Sequence, residues 1–148
     1  MKSLFEKATR DELIKRINTV SENNTAQWGK MNVYQMLKHC TIWDTWILSR
    51  KENRQIFMGR IFGRMALKNV LKDDKPLGRN SPTGADFKVP ETRGDIAVEK
   101  EKWISLIEQY DGFSNPDFVH LFFGKMTNEQ IGQMAYKHAD HHLRQFGS

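Results

Sequence analysis

Apolar side chains recur at helical spacing in five stretches of this 148-residue chain, and several stretches begin at a residue that can cap a helix. The last stretch starts at Thr127, with Gln130 three positions on as in a capping box, and continues to about Phe146. The same Gly-Lys-Met lead-in precedes Asn32, which begins a second such helix that runs to about Arg50. This periodicity predicts an all-α fold.

Three further helices follow from the same rules. The spacing predicts one over residues 9–20, where Thr9 and Glu12 form a capping box, and one that begins after Asp95 and ends near residue 111. Residues 56–71 are also helical in spacing, although two glycines weaken that helix by about 1 kcal/mol each relative to Ala. Residues 75–94 hold three prolines and three glycines and predict a long surface connection, and a loop precedes Thr127.

Composition and length further restrict the class of protein. A chain of this size, with 39% hydrophobic and 28% charged residues, predicts a single globular domain over residues 1–148. No apolar run could span a membrane, and Glu6 precedes any apolar run at the N-terminus, so we expect neither a signal peptide nor a membrane partner. A single cysteine, Cys40, excludes a disulfide framework, and we expect it to be a buried, inert thiol in a cytoplasmic protein.

Positive charge is concentrated in one segment. Residues 50–79 carry a net charge of +6, whereas the rest of the chain sums to −1. Arg60, Arg64, Lys68 and Lys72 recur every four residues and form a stripe on the third helix, which is compatible with nucleic-acid binding. No aromatic-interleaved loop or known reading helix accompanies the stripe, so a solvated face is the simpler interpretation. We do not expect nucleic acid as the partner.

Histidines carry the strongest chemical signal. On a helical wheel His138 and His142 lie within about 20° of Ile131, in the middle of the apolar face of the last helix. They stand four residues apart, so both imidazoles can reach one ion at about 2.0–2.1 Å. The alternative is a pair of core histidines whose nitrogens are satisfied by carbonyls or water.

A third ligand would have to come from another element. His39 lies at the edge of the apolar stripe of the second helix, about 10 Å from its start, whereas His138 and His142 lie about 16 and 22 Å into theirs. Those depths coincide if the two helices are antiparallel. Taken alone, His39 also fits a hydrogen-bonded core histidine. His120 falls in a loop, where we expect a surface or packing role.

Several familiar chemistries are excluded. Ala139 stands where a zincin helix needs its Glu, and no Glu lies three residues before any histidine, as di-iron bundles require. Nucleophile-elbow and phosphate-loop patterns are also missing. No acid or base accompanies the histidines, so a catalytic residue stays unknown.

The segments Trp28–His39, Phe123–Thr127 and Tyr136–Gly147 resemble the DinB-like metal-binding superfamily, and in particular an uncharacterised bacterial branch of it. The resemblance implies a four-helix bundle with up-down-down-up topology, an extra short helix and a long crossover connection. It also implies that His39, His138 and His142 bind a divalent metal, zinc or nickel, with Gln145 near the site. We place Trp43 beside the site as well, and His141 stays open as an alternative ligand.

Characterised relatives in that superfamily use low-molecular-weight thiols, so the first hypothesis is a metal-dependent thiol transferase-like enzyme with an open three-histidine site. The basic residues 50–79 fit an acidic thiol or another small-molecule substrate. A non-catalytic metal-binding or stress-associated protein is the second hypothesis, and a nucleic-acid binder is the third. A homodimer is compatible with each of them.

Overall fold

The computed structural model describes residues 1–148 and is predominantly helical. Its elements are α1 (Lys7–Thr19), α2 (Val33–Leu48), α3 (Phe57–Val70), a 3₁₀ turn (Ala85–Phe87), α4 (Ile96–Glu108), β1 (Val119–His120), β2 (Gly124–Lys125) and α5 (Asn128–Gln145). The all-α expectation therefore holds broadly, with the addition of one very short two-stranded sheet. None of the helices combines the length and hydropathy needed to cross a membrane.

One hydrophobic core joins four of the helices. Helix α4 packs most extensively against α2, and both α1 and α2 contact α4 and α5. The apolar stripes that predicted the helices supply the fully buried side chains of this core, among them Leu13, Ile17, Met36, Cys40, Trp103, Ile107, Ile131 and Leu143. Helix α3 adds only Leu67 to this core and otherwise packs mainly against β2.

The predicted caps of three helices are present. Asn32 and Gln35 form a reciprocal capping box at the start of α2, and Thr127 and Gln130 form another at the start of α5. Asp95 accepts a hydrogen bond from the backbone N–H of Val98 at the start of α4. Each cap satisfies helix-end donors and contributes about 1 kcal/mol. The two capping boxes thus begin the two helices that carry the candidate ligands.

The capping box predicted at Thr9 and Glu12 is wrong. Helix α1 begins two residues earlier, with Glu6 at the N-cap position, and Thr9 lies inside the helix with its hydroxyl donating to the Glu6 carboxylate. The preceding chain is held by tertiary contacts, because the Arg10 guanidinium donates to the carbonyls of Leu4 and Phe5. Those contacts set the helix start in place of the local motif.

Residues 112–127 were expected to form only a loop, and the structure corrects this to a β-hairpin. Val119 pairs with Lys125 and His120 with Gly124. The Nδ1 atom of His120 accepts hydrogen bonds from the backbone N–H groups of Phe122 and Phe123 and so closes the turn. Strands of two residues are too short to show an alternating pattern in sequence.

Close backbone contact holds α3 against this hairpin. A Cβ atom at Gly59 or Gly63 would lie 2.3 or 2.1 Å from the carbonyl oxygen of Phe122, so only glycine fits at these positions. At the other end of the helix, the buried Lys137 of α5 donates to the carbonyls of Val70 and Lys75. The glycines expected to weaken α3 are thus what lets it dock.

The connection between α3 and α4 is long, as its proline and glycine content predicted, and the structure shows that it runs along α2. Gln35 donates to the carbonyl of Val89, and Asn32 donates to that of Thr92. Between these contacts and the end of α3, the 3₁₀ turn brings the Phe87 ring to 5.2 Å from that of Trp46. The connection thereby covers the part of α2 that contains His39.

Candidate metal centre

Three of the five histidines converge between α2 and α5. One ring nitrogen from each of His39, His138 and His142 lies within 4.8 Å of the others, and the Nε2 atoms of His39 and His138 are 3.1 Å apart. The backbone of Gln27, just before α2, donates to the carbonyl of Gln145 at the end of α5. The two helices are therefore antiparallel, which is the orientation in which the depths of the histidines coincide.

Hydrogen bonds fix the tautomer of two of these rings. The Nδ1–H of His39 donates to the carbonyl of Phe87 at 2.7 Å, and the Nδ1–H of His142 donates to Oε1 of Gln145 at 2.9 Å. The Gln145 amide is itself oriented, since its Nε2 donates to the carbonyl of Trp28. Both histidines thus keep Nε2 free of a proton, which is the usual outer-shell arrangement for metal-ligating histidines.

His138 is held differently. Its ring stacks on Trp43, with the centroids 4.1 Å apart and the planes 17° apart, and its Nδ1 is buried without a hydrogen-bond partner. Because Nε2 of His39 is an acceptor, the proton shared by the 3.1 Å contact belongs to Nε2 of His138. Since no carbonyl orients the His138 ring, its plane is set by the stack with Trp43.

All three rings are neutral at ordinary pH. Burial lowers the pKa of His142 to about 3, with a further contribution from the nearby His39. Burial also holds the pKa of His138 well below its usual value and lowers that of His39, although the Phe87 carbonyl opposes the shift at His39. Neutral imidazole is the form that ligates metals. The three rings therefore need no net loss of protons to bind a cation, although His138 must move its proton from Nε2 to Nδ1 before Nε2 can ligate.

The cluster is enclosed. As whole residues its three histidines are only 4–8% exposed, and no carboxylate lies among the ligand atoms of the cluster. Nearby buried carboxylates are already engaged: Asp140 pairs with Arg16 and Arg144, and Asp44 accepts from Trp103 and Tyr110. The cluster therefore has no free carboxylate beside it that could act as a general acid or base.

The other candidates lie outside the three-histidine set. His141 is half-buried, with its ring 5.0 Å from that of His142 and 5.5 Å from that of Trp28. His120 has the packing role expected for it, because it closes the hairpin turn and contacts Trp46. Burial raises the pKa of the Cys40 thiol well above its usual value, which agrees with an inert cysteine.

Two features of the site had little or no signal in the sequence. The Phe87 carbonyl comes from the connection between α3 and α4, where no local pattern marks a partner for a histidine. Gly29 has φ +81°, and a Cβ atom there would lie 2.6 Å from Nε2 of Gln145. Its place in the Gly-Lys-Met lead-in marks a helix entry, yet in the structure this glycine also leaves room for the side chain that orients His142.

Comparison with known proteins places the chain in one family. A family model described as a protein of unknown function, DUF1569, matches residues 3–148. No curated protein matches the chain, and neither does any solved structure. The comparisons therefore assign no activity, and the chemistry has to be argued from the histidine cluster.

Proposed function

The chain belongs to the DUF1569 family, whose function is unknown, and from its own geometry we propose that it binds one divalent metal ion, zinc or nickel, through His39, His138 and His142. One observation carries the proposal: three neutral imidazoles converge from two helices, and two of them have Nδ1–H tied to an acceptor so that Nε2 is free. Nitrogen donors of this kind suit zinc and nickel better than magnesium or calcium.

Three protein ligands leave coordination positions open, which is the composition of catalytic zinc sites, whereas structural sites fill all four. An ion held there would lower the pKa of a thiol or water that reaches it. We therefore propose a metal-dependent thiol transferase-like activity. Within it, His39 and His142 are oriented by Phe87 and Gln145, and Trp43 holds the His138 ring while excluding water from that side.

The enclosure of the site supports a second candidate, a non-catalytic metal-binding protein. Each histidine is less than a tenth exposed, and His39 is tied to the connection that covers it. A substrate would therefore have to displace part of this cover to reach the ion. In the non-catalytic case the ion would cross-link α2 and α5 and stabilise the fold.

We also propose that the fold is the DinB-like four-helix bundle with up-down-down-up topology. Support comes from the contacts of α1 and α2 with both α4 and α5, from the antiparallel pairing of α2 with α5, and from the long connection before α4. An experimental structure superposed on DinB-like bundles tests this. A different order of helices around the core would contradict it.

Metal analysis of the purified protein tests the binding proposal. We expect about one equivalent of zinc or nickel per chain in the wild type. Replacing His138 and His142 together by Ala should abolish it. His141→Ala is the matched control, because it removes a neighbouring histidine of the same helix that lies outside the set. Full retention in the double variant would refute the site.

An activity screen distinguishes the transferase-like enzyme from the non-catalytic metal-binding protein. The wild type and His39→Ala, each loaded with zinc or nickel, would be screened with low-molecular-weight thiols against a panel of electrophiles. Turnover that requires both the metal and His39 supports the transferase. A metal-loaded protein that turns over nothing, yet unfolds at a much higher temperature than the metal-free form, supports the non-catalytic candidate.

A further inference from the structure

Helix α3 turns its large apolar side chains away from the protein. Those that face solvent are Phe57 (72% exposed), Met65 (68%), Ile61 (56%), Met58 (51%) and Phe62 (43%). The residues it buries are Gly59, Gly63 and Leu67. Soluble helices ordinarily bury the apolar face and expose the polar one. This inversion leaves on the order of 500 Å² of apolar surface on one helix, which is at the upper end of what a monomer exposes.

A basic row flanks the apolar stripe. Taking Gly63 as zero on a helical wheel, Met58, Ile61 and Met65 lie about 140–160° away, and Arg60, Arg64 and Lys68 lie at about 60°, 100° and 140° on one side. These three cations are exposed and none has an ion-pair partner. Residues 53–72 contain no acidic side chain at all. Apart from Asn69 near its end, the exposed large side chains of α3 are thus apolar or positively charged.

The charge of this face decides what can cover it. A two-fold interface places the same patch on both subunits, so it must complement itself. A patch with one sign of charge would bring two basic rows together without an acid to neutralise them. The occupant therefore has to supply negative charge beside an apolar layer. Phosphates of nucleic acid supply the charge, yet they leave the apolar side chains exposed to water.

The shape of the helix favours a flat occupant. Peptide helices commonly dock in hydrophobic grooves, whereas the outer face of α3 is convex, because the helix packs only through its opposite face, against β2 and through Lys137 and Leu67. A helix with Met, Phe and Ile on one face and Lys and Arg beside them suits the boundary between lipid headgroups and acyl chains. Lys137 and the two glycines hold α3 to the body while leaving this face free.

We propose that α3 binds the surface of anionic lipid bilayers, with its apolar stripe inserted below the headgroups and its basic row at the level of the lipid phosphates. From the sequence we predicted no membrane partner, because no segment is long enough to span a bilayer. A helix that lies on the surface needs no such segment. The proposal uses no residue of the histidine cluster, so it stands or falls independently of metal binding.

Vesicle co-sedimentation of the full chain tests the proposal. The probes are vesicles of phosphatidylcholine alone and of equimolar phosphatidylcholine and phosphatidylglycerol. We expect binding to the anionic vesicles only, weakening as NaCl is added. Lys68→Glu should weaken it roughly tenfold or more, whereas Lys15→Glu, the same charge change on the exposed side of α1, should change it about twofold or less.

A second pair of variants tests the contribution of the apolar side chains to vesicle binding. Ile61→Ser combined with Met65→Ser should weaken vesicle binding roughly tenfold or more. Val98→Ser removes an exposed apolar side chain from α4 and should leave binding unchanged. These side chains are exposed, so circular dichroism and the unfolding temperature should match the wild type in all variants.

Three results would overturn the proposal. One is a lack of sedimentation with anionic vesicles at low salt. Another is binding that survives the α3 substitutions. The third is a wild-type dimer in light scattering that the Ile61 and Met65 changes dissociate, without vesicle binding, because a second copy would then cover the face. Duplex DNA run in parallel should compete weakly and should be insensitive to the serine substitutions.

Discussion

The amide of Gln145 offers a test of the centre that leaves every proposed ligand in place. This side chain is 4% exposed and makes two hydrogen bonds: Oε1 accepts from His142 Nδ1 at 2.9 Å, and Nε2 donates to the Trp28 carbonyl at 2.7 Å. Gln145→Leu removes both and leaves the buried His142 donor and the partly buried Trp28 carbonyl unpaired. Each unpaired group costs about 1–3 kcal/mol.

Loss of the His142 partner should weaken zinc binding by about 10- to 100-fold, the usual effect of removing an outer-shell partner. Gln145→Glu is the discriminating control, because a carboxylate still accepts from His142 but no longer donates to Trp28. Titration calorimetry should therefore show weakened zinc binding in the Leu variant only, whereas chemical unfolding of the metal-free proteins should show reduced stability in both. Equal zinc affinity in the wild type and a folded Leu variant would refute the orienting role of Gln145.

Three predictions concern the fold. Burial raises the pKa of Asp44 from 3.8 to about 7, so the folded state holds this proton longer than the unfolded state, and stability should decline by on the order of 4 kcal/mol as pH rises from about 4 to about 7. Asp44→Asn should flatten this decline in urea unfolding, and an unchanged decline would contradict the assignment. Gly63→Ala would place Cβ 2.1 Å from a backbone oxygen of the hairpin and should cost about 1–3 kcal/mol. Gly78→Ala, which meets nothing within 4 Å, should be neutral, and equal effects would count against the docking of α3. Lys137→Met removes the donor to the Val70 carbonyl and should speed amide exchange in the last turn of α3; unchanged exchange would show that this contact does not hold α3.

The parts of the structure that could be predicted are those that local sequence determines. Asn32 and Thr127 cap their helices through hydrogen bonds with glutamines three residues later. The four-residue spacing of His138 and His142 places both on one face of α5. The depth of His39 in α2 matched that pair only on the condition that the two helices are antiparallel, and His39 also fitted a hydrogen-bonded core histidine.

What could not be predicted depends on partners distant in the chain. Thr9 has a capping motif, but tertiary contacts of Arg10 start α1 earlier. Asp44 is fully buried because Trp103 and Tyr110 of another segment donate to it. The sequence did offer one signal for the burial of Asp44: it lies seven residues after the buried Leu37, two turns along the same side of α2.

The central claim is that three histidines bind one metal ion, and X-ray absorption at the zinc edge of the loaded protein tests it most directly. The account predicts three imidazole nitrogens at about 2.0–2.1 Å together with oxygen or sulfur atoms from ligands outside the protein. The number of imidazoles should fall to two in His39→Ala and remain three in His141→Ala. A zinc ion surrounded only by solvent oxygens, or an unchanged spectrum in His39→Ala, would contradict it.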